Sequence, residues 1–182
     1  MILARLMTLR QRLLEHTLEP MRQLILLRHA KATVDSDTGE DFDRPLAARG
    51  REDALVVAHA LADAGADPQL VLVSDARRTR ETWELAKAAF PKALVRFLGQ
   101  LYLCNAETLL REAELASAER VMLVGHNPGM HELATRLAHR NTALEIKLRA
   151  KFPTAAGALF VRKDANSSLK LQAFVTPKTI AD

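Results

Sequence analysis

Short apolar runs alternate with longer segments of helical periodicity along most of the chain. Uninterrupted apolar runs predict buried strands, and four of them follow one another as QLILLR, QLVLVS, ALVRFLG and RVMLVG. The segments between them place apolar residues three and four positions apart and predict helices over 47–64, 76–90 and 106–116. Strands that alternate with helices form parallel sheets covered by helices. The pattern therefore predicts an α/β three-layer sandwich, with a mostly parallel central sheet and helices on both faces.

The same periodicity predicts which helix faces point inward. These positions are Ala54, Leu55, Ala58, Leu61 and Ala62 in the first helix, and Trp83, Ala86 and Phe90 in the second. Asn105 precedes the third helix, and asparagine is a favoured residue for capping free amides at a helix start.

The last third of the chain extends this pattern. PGMHELATRLAHR predicts another helix, with Pro128 at its first helical position. A polar stretch follows, and then AAGALFVRK and LKLQAFVT predict a strand pair joined through DANSS. This pair is expected to add antiparallel strands to the sheet.

The first twenty residues differ from the rest. MILARLMTLRQRLLEHTLEP spaces its leucines as a helix does until Pro20 ends the pattern. Its arginines argue against a secretory signal. We interpret residues 1–20 as an N-terminal amphipathic extension and 21–182 as the single functional domain. A membrane-surface or partner helix is the alternative for residues 1–20.

Composition narrows the range of partners. A net charge of +4 favours an anionic partner, while 4% aromatic residues leave little to stack on bases, so no nucleic acid is expected.

The single cysteine, Cys104, cannot form an internal disulfide and suits a reducing, cytoplasmic location. No apolar run approaches the roughly 18–20 residues of a membrane span. A monomer is the default expectation.

Basic side chains follow three of the predicted strands. Arg28 and His29 end the first, Ser74 ends the second just before Arg77 and Arg78, and Gly125, His126 and Asn127 follow the fourth. Ligands of such sheets bind beyond the carboxyl ends of the strands, so these groups should converge. Guanidinium groups and helix N-termini both bind phosphate oxygens. The sequence therefore predicts a phosphoryl site, where Gly125 lets the backbone come close and Asn127 caps the next helix.

Five segments together resemble a known family. LLRHAKA, DRPLAARG, SDARRTRET, VGHNPGM and KFPTAA occur in the order and spacing of the histidine phosphatase superfamily, whose fold is phosphoglycerate mutase-like. The resemblance spans about residues 22–175 and is greatest to the SixA-type phosphohistidine phosphatases. It implies that His29 is the nucleophile, that Arg28 and Arg78 bind phosphate, and that His126 is a second catalytic histidine. Arg44 is a weaker candidate at the rim.

The sequence also departs from the family pattern. Asp75, Thr79 and Glu81 stand where proline, alanine and glutamine are common in the family. Asp75 would bring negative charge near the proposed phosphate site. Its charge bears on substrate preference more than on mechanism.

The resemblance implies a phosphatase that needs no metal or cofactor and works through a phosphohistidine intermediate. Its expected partner is the phosphohistidine of a signalling or phosphotransfer protein. Two alternatives remain open, namely a phosphatase or mutase of small phosphorylated metabolites and a non-catalytic module that binds phospho-ligands. The spacing of His126, His131 and His139 matches no familiar metal-ligand pattern.

The general acid is the least defined part of the predicted site. Glu107 is a weak candidate in the first turn of a predicted helix. The loop after the first strand, predicted to form a rim or lid, carries acids that could also reach the site, namely Asp35, Asp37, Glu40, Asp41 and Asp43. An imidazole leaving group, with a pKa of about 6.5, needs less assistance than an alcohol.

Overall fold

Six strands form one sheet in the computed structural model, which describes residues 21–181. In chain order they are β1 (Gln23–Arg28), β2 (Leu70–Ser74), β3 (Leu94–Leu98), β4 (Arg120–Gly125), β5 (Gly157–Val161) and β6 (Lys170–Val175). The spatial order is β3-β2-β4-β1-β5-β6. All neighbours among the first four strands pair in parallel, whereas β5 pairs antiparallel with β1 and β6 pairs antiparallel with β5 at the edge of the sheet. The predicted mostly parallel sheet is confirmed, while the predicted helix within residues 1–20 lies outside the described residues.

Helices cover both faces of this sheet. They are α1 (Ala48–Asp63), α2 (Arg77–Ala86), α3 (Ala106–Leu115), α4 (Gly129–Leu137), α5 (Ala143–Ala150) and α6 (Pro177–Ala181). Successive side chains of a strand point to opposite faces. Accordingly Leu24 and Leu26 of β1 join the core beneath α3, α4 and α5. Ile25 and Leu27 join the core beneath α1 and α2. The three-layer prediction is confirmed.

The inward face of α1 differs from the prediction at one position. Ala54, Ala58 and Leu61 are buried, but Leu55 is 38% exposed and Val57 is fully buried instead. Positions three and four apart share a helix face, so Val57 lies between Ala54 and Leu61 on the buried stripe. Leu55 lies about 100° around the helix from Ala54 and faces outward.

We predicted only a polar stretch after α4. This prediction is wrong, because the segment contains the helix α5. Thr142 accepts a hydrogen bond from the Glu145 amide, and the Glu145 carboxylate accepts one from the Thr142 amide. This reciprocal capping box is readable in the sequence as T-x-x-E. The helix is only eight residues long and mixes charged with apolar positions, so its periodicity is weak.

The loop between β1 and α1 is anchored beside the start of α1. Ala32 and Leu46 form an isolated antiparallel bridge, and the Ala47 amide donates to the Lys31 carbonyl at 2.9 Å. A Cβ placed on Gly50 would lie 2.1 Å from that Lys31 carbonyl oxygen. The absent side chain of Gly50 therefore lets α1 approach the segment that follows His29.

Replacing Gly50 with alanine should destabilise the protein by about 2 kcal/mol, the usual scale of overpacking. Helix propensity alone would predict the opposite sign, because alanine is the better helix former. Urea unfolding measures the change. Gly99→Ala is the matched control, since no atom lies within 4 Å of a Cβ there. An equal or more stable Gly50→Ala protein would contradict this close approach.

Candidate active site

The carboxyl ends of β1 and β4 bring two histidines together. Arg28 pairs with Gly125 across these parallel strands, and His29 and His126 are the next residues of each. The His29 amide donates to the Gly125 carbonyl at 3.0 Å. The two imidazole rings consequently lie 5.1 Å apart between centroids. With Arg28 and Arg78 they form what we call the histidine–arginine cluster.

The ring of His29 is held in one tautomer. Its Nδ1 lies 2.8 Å from the Ala30 carbonyl oxygen, which can only accept, so Nδ1 carries the proton and Nε2 keeps a free electron pair. The Ala30 amide is itself fixed by donating to Thr82 Oγ1 at 3.0 Å. Burial, aided by the charges of Arg78 and Arg28, lowers the pKa of His29 to about 4. A neutral imidazole with an available Nε2 is a nucleophile.

His126 is buried and carries a vacant hydrogen-bonding atom. Its Nε2 lies 2.8 Å from Ser74 Oγ at the end of β2. Its Nδ1 is buried and has no partner among the described residues. Burial, followed by the charges of His29 and Arg78, lowers the pKa of His126 to about 3. The neighbouring Tyr102 ring packs edge-on against it at 5.4 Å between centroids.

Arg28 and Asn127 share one backbone acceptor. Arg28 Nη1 donates to the Phe152 carbonyl at 2.8 Å, and Asn127 Nδ2 donates to the same oxygen at 2.9 Å. The KFPTAA segment thereby contacts the cluster through its backbone. The predicted cap is wrong, because α4 begins at Gly129 after Pro128 and has no side-chain cap. The Asn127 side chain instead donates to the Phe152 carbonyl, which the tertiary fold places beside it.

Arg78 lies inside the cluster, and Arg77 does not. Arg78 is 3% exposed and donates from Nη1 to the Asp41 carbonyl at 2.6 Å and from Nη2 to Asp41 Oδ2 at 2.9 Å. Arg77 is directed outward, where it pairs with Asp37 and Glu81. The arginine that lies in the cluster is thus Arg78, the one that the family resemblance implied.

Asp41 is the acid of the β1–α1 loop that reaches the cluster. It begins the 3₁₀ turn Asp41–Asp43 and also accepts from Arg44 Nη1 at 2.8 Å and from the Tyr102 hydroxyl at 2.7 Å. The hydrogen bonds from Tyr102 and Arg44, together with the Arg78 charge, hold the pKa of Asp41 well below its usual range. Arg44 therefore contacts the cluster through Asp41.

The residues that depart from the family pattern have local partners. Glu81 accepts hydrogen bonds from the Leu46 amide and the Arg51 guanidinium, both at 2.9 Å, and so ties the β1–α1 loop to α2. The Thr79 hydroxyl donates to the Ser74 and Ala76 carbonyls. Asp75 is paired with Arg80, so its charge is compensated at the surface.

Glu107, the weak acid candidate, is exposed in the first turn of α3. Within residues 21–181 no hydrogen bond joins its carboxylate to the cluster, and its catalytic role stays a prediction. Three partners of the cluster were not predicted as site residues, namely Ser74 as the contact of His126, Tyr102 and Thr82. Ser74 was readable as the last residue of a buried strand, whereas Tyr102 and Thr82 leave no local signal.

Within residues 21–181 no group of three or more His, Cys, Asp or Glu side chains is placed to hold a metal ion. No helix of the same range is long and apolar enough to cross a membrane.

These features define an α/β protein with a histidine–arginine cluster at the carboxyl edge of its sheet. The family description "Histidine phosphatase superfamily (branch 1)" matches residues 24–99. A candidate phosphohistidine phosphatase SixA from Agrobacterium tumefaciens is 31% identical, with a TM-score of 0.76 over 86% of this chain and 99% of that one. A similar protein from Nakamurella multipartitia is 26% identical, with a TM-score of 0.73 over 86% and 96% of the two chains.

A plant protein is also related in sequence. An uncharacterized chloroplastic protein of Arabidopsis thaliana is 36% identical over 136 residues, which are 68% of this chain and 62% of the plant protein. The chain thus spans less than two thirds of that relative. Taken together, the chain belongs to the histidine phosphatase superfamily, in its SixA-type branch.

The His29 imidazole should titrate near pH 4 in the free protein, below the ordinary value of about 6.5. Burial disfavours the charged form, so neutral His29 persists above that pH and is lost only below it. Ring ¹⁵N chemical shifts measured against pH test this and should also report the tautomer protonated at Nδ1. Arg78→Gln should raise the pKa, because a positive neighbour is removed. A His29 midpoint above pH 6 would refute the assignment.

Proposed function

We propose that the protein is a metal-independent phosphatase that transfers a phosphoryl group to His29 and then to water. Its proposed substrate is the phosphohistidine of a signalling or phosphotransfer protein. The observation that carries the proposal is the state of His29, which is partly buried, of low pKa and hydrogen-bonded through Nδ1, with Nε2 left available. Two guanidinium groups and a second imidazole accompany it.

In the first step, His29 Nε2 attacks phosphorus in line with the leaving group. The bond between phosphorus and the substrate nitrogen breaks, and its electron pair stays on that nitrogen. When the other ring nitrogen of the substrate carries a proton, the departing group is neutral imidazole. In the second step, water attacks the phosphorylated His29, the electron pair returns to Nε2, and phosphate leaves with the surplus proton passing to solvent.

Arg28, Arg78 and His126 are proposed to bind the phosphoryl oxygens. Charge spreads over these oxygens in the transition state, and fixed donors in a water-poor site stabilise it. If Ser74 donates to His126 Nε2, the proton of His126 lies on Nδ1, the buried atom that lacks a partner. A phosphate oxygen would supply the missing acceptor. The anion therefore favours the tautomer that Ser74 supports.

The ionised state of Asp41 supports phosphohistidine over alcohol phosphates as the substrate. Asp41 is the carboxyl group hydrogen-bonded within the cluster, and Arg44, Arg78 and Tyr102 hold it ionised. An ionised carboxylate cannot donate a proton to a leaving group. Imidazole has a conjugate-acid pKa of about 6.5 and leaves with a proton that solvent supplies, whereas an alkoxide needs a strong acid.

The relatives support the same substrate class. The proteins from Agrobacterium tumefaciens and Nakamurella multipartitia are both described as candidate phosphohistidine phosphatases. We further propose that the protein acts as a monomer in the cytoplasm without a cofactor. Its single cysteine, Cys104, fits a reducing compartment.

A phosphoenzyme experiment tests the proposal. Incubation with a ³²P-labelled phosphohistidine protein should give an acid-labile, alkali-stable adduct that is absent from His29→Ala. His59→Ala is the matched control, because His59 is exposed on α1 and should leave the adduct unchanged. A binding module would form no adduct, and a mutase would return the phosphoryl group to a sugar acid. Turnover should be fastest with the phosphohistidine protein, compared with an aryl phosphate and phosphoglycerate, and the reverse order would refute the substrate class.

Ser74→Ala should lower kcat/KM about five- to tenfold, the scale of one hydrogen bond. Without the hydroxyl, nothing favours the His126 tautomer that donates from Nδ1 to phosphate. Steady-state kinetics and the Kd of inorganic phosphate measure the loss, and a thermal unfolding scan checks that the variant is folded. Unchanged kinetics in a folded variant would show that Ser74 does not support His126.

A further inference from the structure

The Asp41 carboxylate lies beside the groups proposed to bind phosphate, and four side-chain donor groups hold its residue there. Its backbone oxygen accepts from Arg78 at 2.6 Å and its Oδ2 from Arg78 at 2.9 Å. The Tyr102 hydroxyl donates to Oδ2 at 2.7 Å, and Arg44 donates to Oδ1 at 2.8 Å. The Tyr102 ring in turn contacts His126, so the carboxylate touches the cluster directly at Arg78 and reaches His126 through Tyr102.

This carboxylate still faces outward. The Asp41 side chain is 48% exposed, whereas its partner Arg78 is 4% exposed. A carboxylate oxygen accepts two hydrogen bonds, and Oδ1 has only Arg44 as a partner among the described residues. The negative charge therefore lies on the solvent-exposed side of the cluster, which we call its mouth. The part of a substrate beyond its phosphoryl group would lie there.

The surrounding loop offers little positive charge to a second anionic group. Residues 30–47 contain five acidic side chains and two basic ones. One of the basic side chains, Arg44, is paired with Asp41, and Arg77 above the loop is paired with Asp37 and Glu81. Arg28, which is partly buried in the cluster, makes no ion pair with a carboxylate within residues 21–181. One phosphoryl group can use Arg28, but a further anion at the mouth meets Asp41.

We propose that Asp41 is a specificity-determining residue whose fixed negative charge selects against phosphorylated molecules that carry another anionic group near the phosphoryl group. Substrates whose phosphoryl group is attached to a neutral or cationic group, such as an imidazole, avoid this repulsion. The inference rests on the proposed phosphate-binding role of the cluster. It names a residue that excludes small anionic metabolites such as phosphoglycerates.

Binding measurements separate charge selection from a structural role. In a His29→Ala background, which prevents turnover, calorimetry gives the Kd of glycerol 3-phosphate and of 3-phosphoglycerate, two phosphate monoesters in which a neutral hydroxymethyl group of the first stands where the second has a carboxylate. Asp41→Asn should improve the relative affinity for 3-phosphoglycerate at least threefold, because a repulsive charge is removed. Added salt should shrink this effect by screening. Asp41→Glu should preserve the original preference.

Asp43→Asn is the matched control, since Asp43 lies in the same 3₁₀ turn but bonds to Thr38. It should leave the ratio of affinities unchanged. If Asp41→Asn weakens both probes equally, or leaves their ratio unchanged, Asp41 only positions Arg78 and the inference is overturned. If no variant binds either probe, both this inference and the phosphate site fail. If the ratio changes as expected but the wild-type protein forms no phosphoenzyme, the proposed function alone is overturned.

Discussion

The parallel pairing of β1 with β4 is the constraint on which the site depends. Its register places Arg28 opposite Gly125, so that His29 and His126 leave the sheet at the same edge. The hydrogen bond from the His29 amide to the Gly125 carbonyl extends the pairing by one residue. A slip of one residue would turn the strand's side chains to the other face. The apolar cores on both faces therefore determine the positions of the two imidazoles.

At the same edge of the sheet, polar and charged side chains are removed from water. Removing guanidinium and imidazole groups from water is unfavourable unless hydrogen bonds replace the lost hydration. The Phe152 carbonyl does this for Arg28 and the Asp41 carboxylate does it for Arg78. Arg28 Nε and His126 Nδ1 remain buried without partners in the described part of the chain. An oxyanion would satisfy these atoms, and the low pKa of His29 follows from the same burial.

Sequence patterns predicted the elements whose apolar periodicity is clearest. The four parallel strands and the helices between them have long, regular apolar periods, and each was found within a few residues of its predicted bounds. Prediction was wrong where the periodicity was weak, or where the residue type fits more than one structural role. The helix α5 is short and charged, and Leu55 is as apolar as its buried neighbours. Asn127 has the composition of a helix cap, but its amide finds a carbonyl on a distant segment.

By itself, the sequence determined the sheet, the strand ends and the residues they present, because periodicity and strand-end position are local properties of the chain. Only the tertiary structure decided what those residues contact. Arg28 meets Phe152 across 124 positions, Tyr102 meets Asp41 across 61, and Arg78 meets Asp41 across 37. Such contacts arise when separate loops pack over one sheet edge. They have no fixed spacing along the chain, so no local pattern records them.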